Sequence, residues 1–190
     1  MCILLTGFEP FGGAAVNPSW EAVQRVPACI DGREVYRLQL PVVYGQAAET
    51  LLTHVERLHP EIVLMCGVAG GRSAVTPELV AINYRHASIA DNAGQQYAGQ
   101  PIDPAGETAW MTRLPVNAMV EAIRALELPA SLSLSAGAYV CNDLYYHLLA
   151  REQELGCRSV FVHVPPTEQL DAEGAARALA ACLETALQTE

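Results

Sequence analysis

Apolar positions recur along this chain in two alternating patterns. Short apolar runs occupy residues 2–6, 34–40, 62–67, 131–135 and 159–164, four of them rich in Ile, Leu or Val. Their length and aliphatic content predict buried strands. Between them, residues 46–58, 116–126 and 142–152 space apolar side chains three and four apart, as with Leu144, Leu148 and Leu149. That period predicts helices with one face against a sheet. Asn17 before Pro18 predicts a further helix start, with Asn17 as cap and Pro18 at the first helical position. A last helix is expected over 171–187, with Ala175, Ala176, Leu179 and Leu183 on one stripe. Strands and helices alternating in this way predict an α/β layered fold with a largely parallel sheet. No repeat, low-complexity tract or linker interrupts the pattern, so one domain over residues 1–190 is expected. Only residues 75–104 break the rhythm. Within them, 79–84 could form a strand, and 91–104, rich in Gly, Gln, Asn and Pro, reads as a long surface excursion. Such a loop is either a lid or contact arm, or a plain exposed insertion.

Composition narrows the chemistry. A chain of 190 residues buries enough surface to fold without disulfides or metal. Eleven basic residues against 21 acidic ones give a net charge of −10, which argues against nucleic acid as a partner. All eleven basic residues are Arg. The absence of Lys excludes Schiff-base chemistry, a pyridoxal-phosphate lysine and a phosphate-loop lysine. Charged residues make up only 17%, against about 25% in typical soluble domains, and part of the surface is expected to be covered by a second copy. The first residues have no basic segment of a signal peptide, and no apolar run approaches the ~20 residues of a membrane span. Six scattered cysteines without a Cys-x-x-Cys pair are expected as free thiols in a reducing compartment, hence in the cytoplasm. They show neither zinc spacing nor a disulfide framework.

In open α/β sheets, ligands bind beyond the carboxyl ends of the strands. Those ends carry Thr6-Gly7-Phe8-Glu9-Pro10-Phe11-Gly12-Gly13, then Cys66-Gly67-Val68-Ala69-Gly70-Gly71-Arg72, Ser135-Ala136-Gly137-Ala138-Tyr139-Val140-Cys141-Asn142, and Phe161-Val162-His163-Val164-Pro165. Neither Gly-rich turn has dinucleotide spacing. Cys141 stands after a Gly-containing turn and before a helix expected to open at Asn142 and Asp143, where backbone N–H groups lower a thiol pKa or hold an oxyanion. Cys66 is the competing thiol, in an apolar run that favours the core. A thiol nucleophile works best with an imidazole base held by a third group. His163, at a strand end before two prolines, is the best-placed histidine, though His86 stays open. Glu78 is the candidate orienting acid, and Arg72 a candidate for an ion pair, an anion contact or loop bracing.

These four blocks, in this order and spacing, resemble the pyroglutamyl peptidase I family, and the resemblance covers nearly the whole chain. It implies a three-layer α/β/α sandwich with a mostly parallel, mixed sheet of the nucleoside-phosphorylase-like type. It further implies no metal or cofactor, and a homo-oligomer, usually a tetramer. The expected reaction is hydrolysis of the amide bond after an N-terminal pyroglutamyl residue of peptides. Cys141 would be the nucleophile, His163 the general base and then acid, and Glu78 the group orienting the imidazole. Phe8 and Phe11 correspond to the ring-binding phenylalanines. Asn17, Val68, Ile89, Tyr139 and Val140 match other expected pocket positions. Where the family commonly carries an Arg thought to help the oxyanion, this chain has Ser88, with Arg85 as a nearby substitute. Two other readings remain: a thiol hydrolase or nucleoside-processing enzyme acting on another small substrate with this fold, and a weakly catalytic protein that only binds pyroglutamyl ends.

Overall fold

In the computed structural model, which describes residues 1–188, the apolar runs form the centre of a six-stranded sheet. The strands, in chain order, are β1 (Cys2–Phe8), β2 (Cys29–Ile30), β3 (Arg33–Leu40), β4 (Ile62–Val68), β5 (Thr76–Glu78), β6 (Val80–Ile82), β7 (Arg85–His86), β8 (Ala98–Gln100), β9 (Ala109–Met111) and β10 (Arg158–Val164). The helices are α1 (Pro18–Arg25), α2 (Gln46–Leu58), α3 (Val116–Ala125), α4 (Val140–Leu155) and α5 (Ala172–Leu187). Across the large sheet the order is β2-β3-β1-β4-β10-β5. Its four central strands run parallel, while β2 and β5 are short antiparallel edges.

Parallel strands covered on both faces need apolar residues at every position, which is why these runs are nearly continuous. Successive side chains serve opposite layers. Ile3, Leu5, Ile62, Leu64, Cys66, Val160 and Val162 share one core with α1, α3 and α5. Leu4, Phe8, Val63, Met65 and Phe161 share the other with α2 and α4. The three-layer α/β/α arrangement expected above is the one that forms. Helix starts follow local chemistry: Asn17 accepts the Ser19 N–H at 3.0 Å, and Asp171 accepts the Gly174 N–H at 2.7 Å.

Residues 131–135 depart from expectation. They form no strand, only an isolated bridge of Ser133 with Glu78, after one of Ala130 with Val75 just before them. Leu132 and Leu134 are exposed, so the segment has no apolar face to bury, and β5 takes the edge place beside β10. The irregular region is also more ordered than its composition predicts. β6 pairs with β9, and β7 with β8. The turn at Asp91 is closed by its own carboxylate, which accepts the Ala93 and Gln95 N–H groups at 3.0 and 2.8 Å. Asn92 then donates to Glu9 Oε1 at 2.8 Å and to the Pro10 carbonyl at 2.9 Å, which ties this loop to the turn after β1. Among the described residues no helix is long and apolar enough to cross a membrane.

Candidate active site

From β1 the chain builds first toward β3 and then toward β4 on the other side. A crevice therefore opens beyond the carboxyl ends of β1 and β4. Phe8, Phe11, Val42 and Val68 line it from the sheet side together with the buried Asn17, and Tyr139, Val140 and Cys141 close it from α4. The lining is almost wholly uncharged, and the free space is about 30 Å3. Glu9 supports the wall from behind, its Oε1 accepting the Val42 N–H at 3.1 Å as well as Asn92.

Helix α4 starts two residues earlier than its apolar period predicts. Gly137, at φ +84°, turns the chain in a conformation that disfavours any side chain, and Tyr139 takes the cap position. Cys141 thereby lies inside the first turn. Asn142 and Asp143 do not cap the helix; both are buried and anchor it sideways. Asn142 accepts the Ile82 N–H at 2.9 Å and donates to the Ile82 and Tyr84 carbonyls at 2.8 and 3.1 Å. Asp143 pairs with Arg85 Nε at 2.6 Å and accepts the Gly45 N–H at 3.1 Å.

The sulfur is placed by what lies beneath it. A Cβ added at Gly67 would stand 3.0 Å from Cys141 Sγ and 2.9 Å from Phe161 Cζ. Gly67 is the register partner of His163 across β4 and β10. Alternation along both strands puts Gly67, Phe161 and His163 on the face covered by α4. The thiol thus rests on the sheet next to the imidazole, whose ring centroid is 4.7 Å from that of Phe161. His163 Nδ1 donates to Glu78 Oε1 at 2.8 Å, a tautomer that leaves the Nε2 lone pair for base work. Glu78 arrives from antiparallel β5 and is fully buried. Arg72 donates to the same Oε1 and to Thr76 Oγ1, and its other terminal nitrogen donates to the Ser135 carbonyl at 3.2 Å.

Burial pushes the Cys141 thiol up to about 12, Glu78 adds to the rise, and its backbone hydrogen bond and Arg72 oppose it. The lowered thiol pKa expected from a helix start is therefore absent: desolvation of the anion outweighs the N–H groups. Burial also lowers the His163 pKa, against the raising effect of Glu78 and with that of Arg72. Both shifts favour the uncharged forms, the thiol and the neutral imidazole. Such a pair suits proton abstraction during attack rather than a standing thiolate–imidazolium pair.

Of the residues singled out in the sequence, His163 and Glu78 are hydrogen-bonded, Cys141 lies over Gly67, the register partner of His163, and Phe8, Phe11, Asn17, Val68, Tyr139 and Val140 line the slot with Cys141. Ile89 does not line it; Ile89 and Ser88 are both exposed. Arg85 is committed to Asp143 and lies against the rings of Tyr44 and Tyr97. Arg72 serves Glu78. Two contributors were missed. Val42 follows β3 in a turn without polar chemistry to mark it. Gly67 carried a signal, a glycine inside an otherwise bulky strand end, which indicates close approach of another group. No group of three or more His, Cys, Asp or Glu able to hold a metal ion occurs among the described residues.

The chain is similar to known proteins over nearly its whole length. The sequence profile of the family described as pyroglutamyl peptidase matches residues 1–189. A pyrrolidone-carboxylate peptidase of Lactobacillus johnsonii is 47% identical over 167 residues, 87% of this chain and 78% of that one. A protein of the same name from Enterococcus faecalis is 44% identical over 175 residues, 90% of this chain and 82% of that one. The crystal structure of Bacillus amyloliquefaciens pyroglutamyl peptidase I superposes with a TM-score of 0.92 at 37% identity, covering 98% of this chain and 97% of that one. A mutant pyrrolidone carboxyl peptidase (A199P) from Pyrococcus furiosus gives 0.92 at 34% identity, with 99% of each chain covered. Profile, identity and superposition all extend over nearly the full chain, and with a thiol, an imidazole and a carboxylate meeting at one sheet edge they lead to one assignment: the chain belongs to the pyroglutamyl peptidase I family of cysteine peptidases.

Proposed function

We propose that this protein removes an N-terminal pyroglutamyl residue from peptides, with Cys141 as nucleophile, His163 as general base and then acid, and Glu78 orienting the imidazole. The observation that carries this reading is the Cys141 sulfur seated over Gly67, beside the His163–Glu78 pair, at an aromatic, uncharged slot. A pyroglutamyl ring is a neutral lactam with apolar methylenes. Phe8, Phe11 and Tyr139 suit that ring, whereas a free ammonium group would be buried there without a partner.

His163 Nε2 takes the thiol proton as Sγ attacks the pyroglutamyl carbonyl carbon. The tetrahedral oxyanion rests near the first-turn N–H groups of α4. Collapse breaks the C–N bond, His163 gives its proton to the departing amine, and a thioester remains. Water, deprotonated by His163, then attacks the thioester and restores the thiol. Because the thiol stays protonated through neutral pH, catalysis depends on neutral His163. On a pyroglutamyl amide reporter, kcat/KM is expected to rise through one limb below the ordinary histidine value of about 6.5 and to stay level to pH 9. Cys141→Ser should lose at least ~10³-fold. Retained activity in that variant would overturn the reading.

The site belongs to a single peptidase domain, and the unpaired state of all six cysteines supports a reducing, cytoplasmic location. Exposed Tyr84, Ile89 and Met111 on or beside the β6–β9 and β7–β8 ribbons support assembly with further copies of the chain, a tetramer by analogy with the family.

A further inference from the structure

We propose that Arg72 is a positioning residue of this site: its guanidinium grips the Glu78 oxygen that His163 uses, fixes that carboxylate, and limits the negative charge the imidazole meets. The inference rests on the reading of Cys141, His163 and Glu78 given above, and adds a fourth member that touches neither substrate nor sulfur.

The geometry is unusual for an ion pair. An arginine meeting a carboxylate commonly uses two parallel N–H···O bonds to its two oxygens. Here Arg72 Nη1 and His163 Nδ1 both donate to Glu78 Oε1. Oε2 is buried with no hydrogen-bond partner among the described residues. The second guanidinium nitrogen turns away to the Ser135 carbonyl, at 3.2 Å. Ser135 opens the turn that leads into Cys141, and Arg72 itself follows β4, whose end holds Gly67 under the sulfur. One side chain thus joins the strand of the acid, the loop after β4 and the turn of the nucleophile.

The charge matters as much as the bracing. A fully buried carboxylate alone against an imidazole would favour the imidazolium, and an imidazolium cannot accept the thiol proton. The charged groups acting on His163 are Glu78 on β5 and Arg72 on the β4–β5 loop; Cys141 on α4 sits over Gly67, the register partner of His163, and Tyr145 of α4 donates to the Glu78 backbone carbonyl at 3.0 Å. Glu78 raises the pKa of both imidazole and thiol, and Arg72 lowers both. The Arg72 side chain is 30% exposed, so solvent weakens this opposition without removing it.

The test is the pH dependence of kcat/KM on a pyroglutamyl amide reporter for wild type, Arg72→Lys, Arg72→Gln and Arg72→Met, with the melting temperature of each. Lys keeps the charge and loses the fork; Gln keeps a donor and loses the charge. Gln and Met are expected to move the acid limb up by about half a pH unit, with a loss of up to about threefold on the acid side of the limb that shrinks to nothing by pH 8.5. Lys should leave the limb in place at a reduced plateau. A limb that stays at the wild-type position in Arg72→Gln, or that moves in Arg72→Lys, overturns the proposal, whatever happens to the melting temperature. Should the neutral variants fail to fold, the Lys limb alone decides. Cys141→Ser and His163→Gln are measured beside them. Wild-type rates in either would sink the reading of the site itself, whereas inactive controls with an unmoved Gln limb would sink only the role of Arg72.

Discussion

A single methyl group at position 67 would reach both the Cys141 sulfur and the Phe161 ring. Gly67→Ala is therefore expected to lift the thiol away from His163. Misplacement on the scale of an ångström costs up to about 10²-fold in rate, so kcat should fall far more than KM rises, with the far-ultraviolet spectrum unchanged. An unaltered kcat would show that the sulfur has slack there. At this scale the chemistry was legible to the extent that residue type advertises it. Cys141, His163 and Glu78 stand at segment ends where reactive side chains collect. Val42 and the wall-bracing Glu9 advertise nothing, because a backbone turn and one acid among 21 look the same wherever they fall. The thiol pKa was misjudged from sequence because helix position is visible in a chain and desolvation is not.

Helix α4 shows how an element is held in register for its work. Its first turn is pinned by Asp143 to Arg85 and Gly45. At its other end Glu152 pairs with Arg113 at 3.0 Å and accepts the Ser159 hydroxyl at 2.8 Å, which fastens it to β10. Asp143 is fully buried, so Arg85→Ala would leave an unpaired charge inside the protein. Losing one partner of a buried pair costs about 3–5 kcal/mol, to be read as a lower urea midpoint. Replacing both partners together, as in Arg85→Leu with Asp143→Leu, should recover much of it. If the single variant is as stable as wild type, the pair does not anchor the helix. The long helices and central strands were readable because their burial repeats with a period. β5 was not: three residues with Pro77 in the middle carry no period and fit only an edge strand. The alternating Leu and Ser of 131–135 imitate a strand, but their leucines face solvent.

Across the whole molecule, buried histidine links folding to acidity. His163 and His147 both have pKa values lowered by burial, below the unfolded value of about 6.5. As pH falls through that value the unfolded chain takes up the protons first. Stability is expected to be level above pH ~6.5 and to decline below it, and the urea midpoint at pH 5.5 against pH 7.5 should show less of a drop in His163→Gln than in wild type. Assembly belongs to this scale as well. Gel filtration at micromolar concentration should give a species larger than a monomer, and Met111→Glu with Ile89→Glu should shift it toward one; a wild-type monomer would end that expectation. The layered architecture was legible in the alternation of apolar periods. The partnership of distant loops was not, since the tie from Asn92 to Glu9 spans 83 residues and leaves no local pattern.

The slot beside the thiol is bounded on one side by the Phe11 ring, carried ahead of two glycines with left-handed backbone, and on the other by the Tyr139 ring, 6.2 Å away centre to centre. A side chain at either glycine would be strained and would displace the Phe11 ring, so the width of the entrance is set by a turn that takes no part in the chemistry.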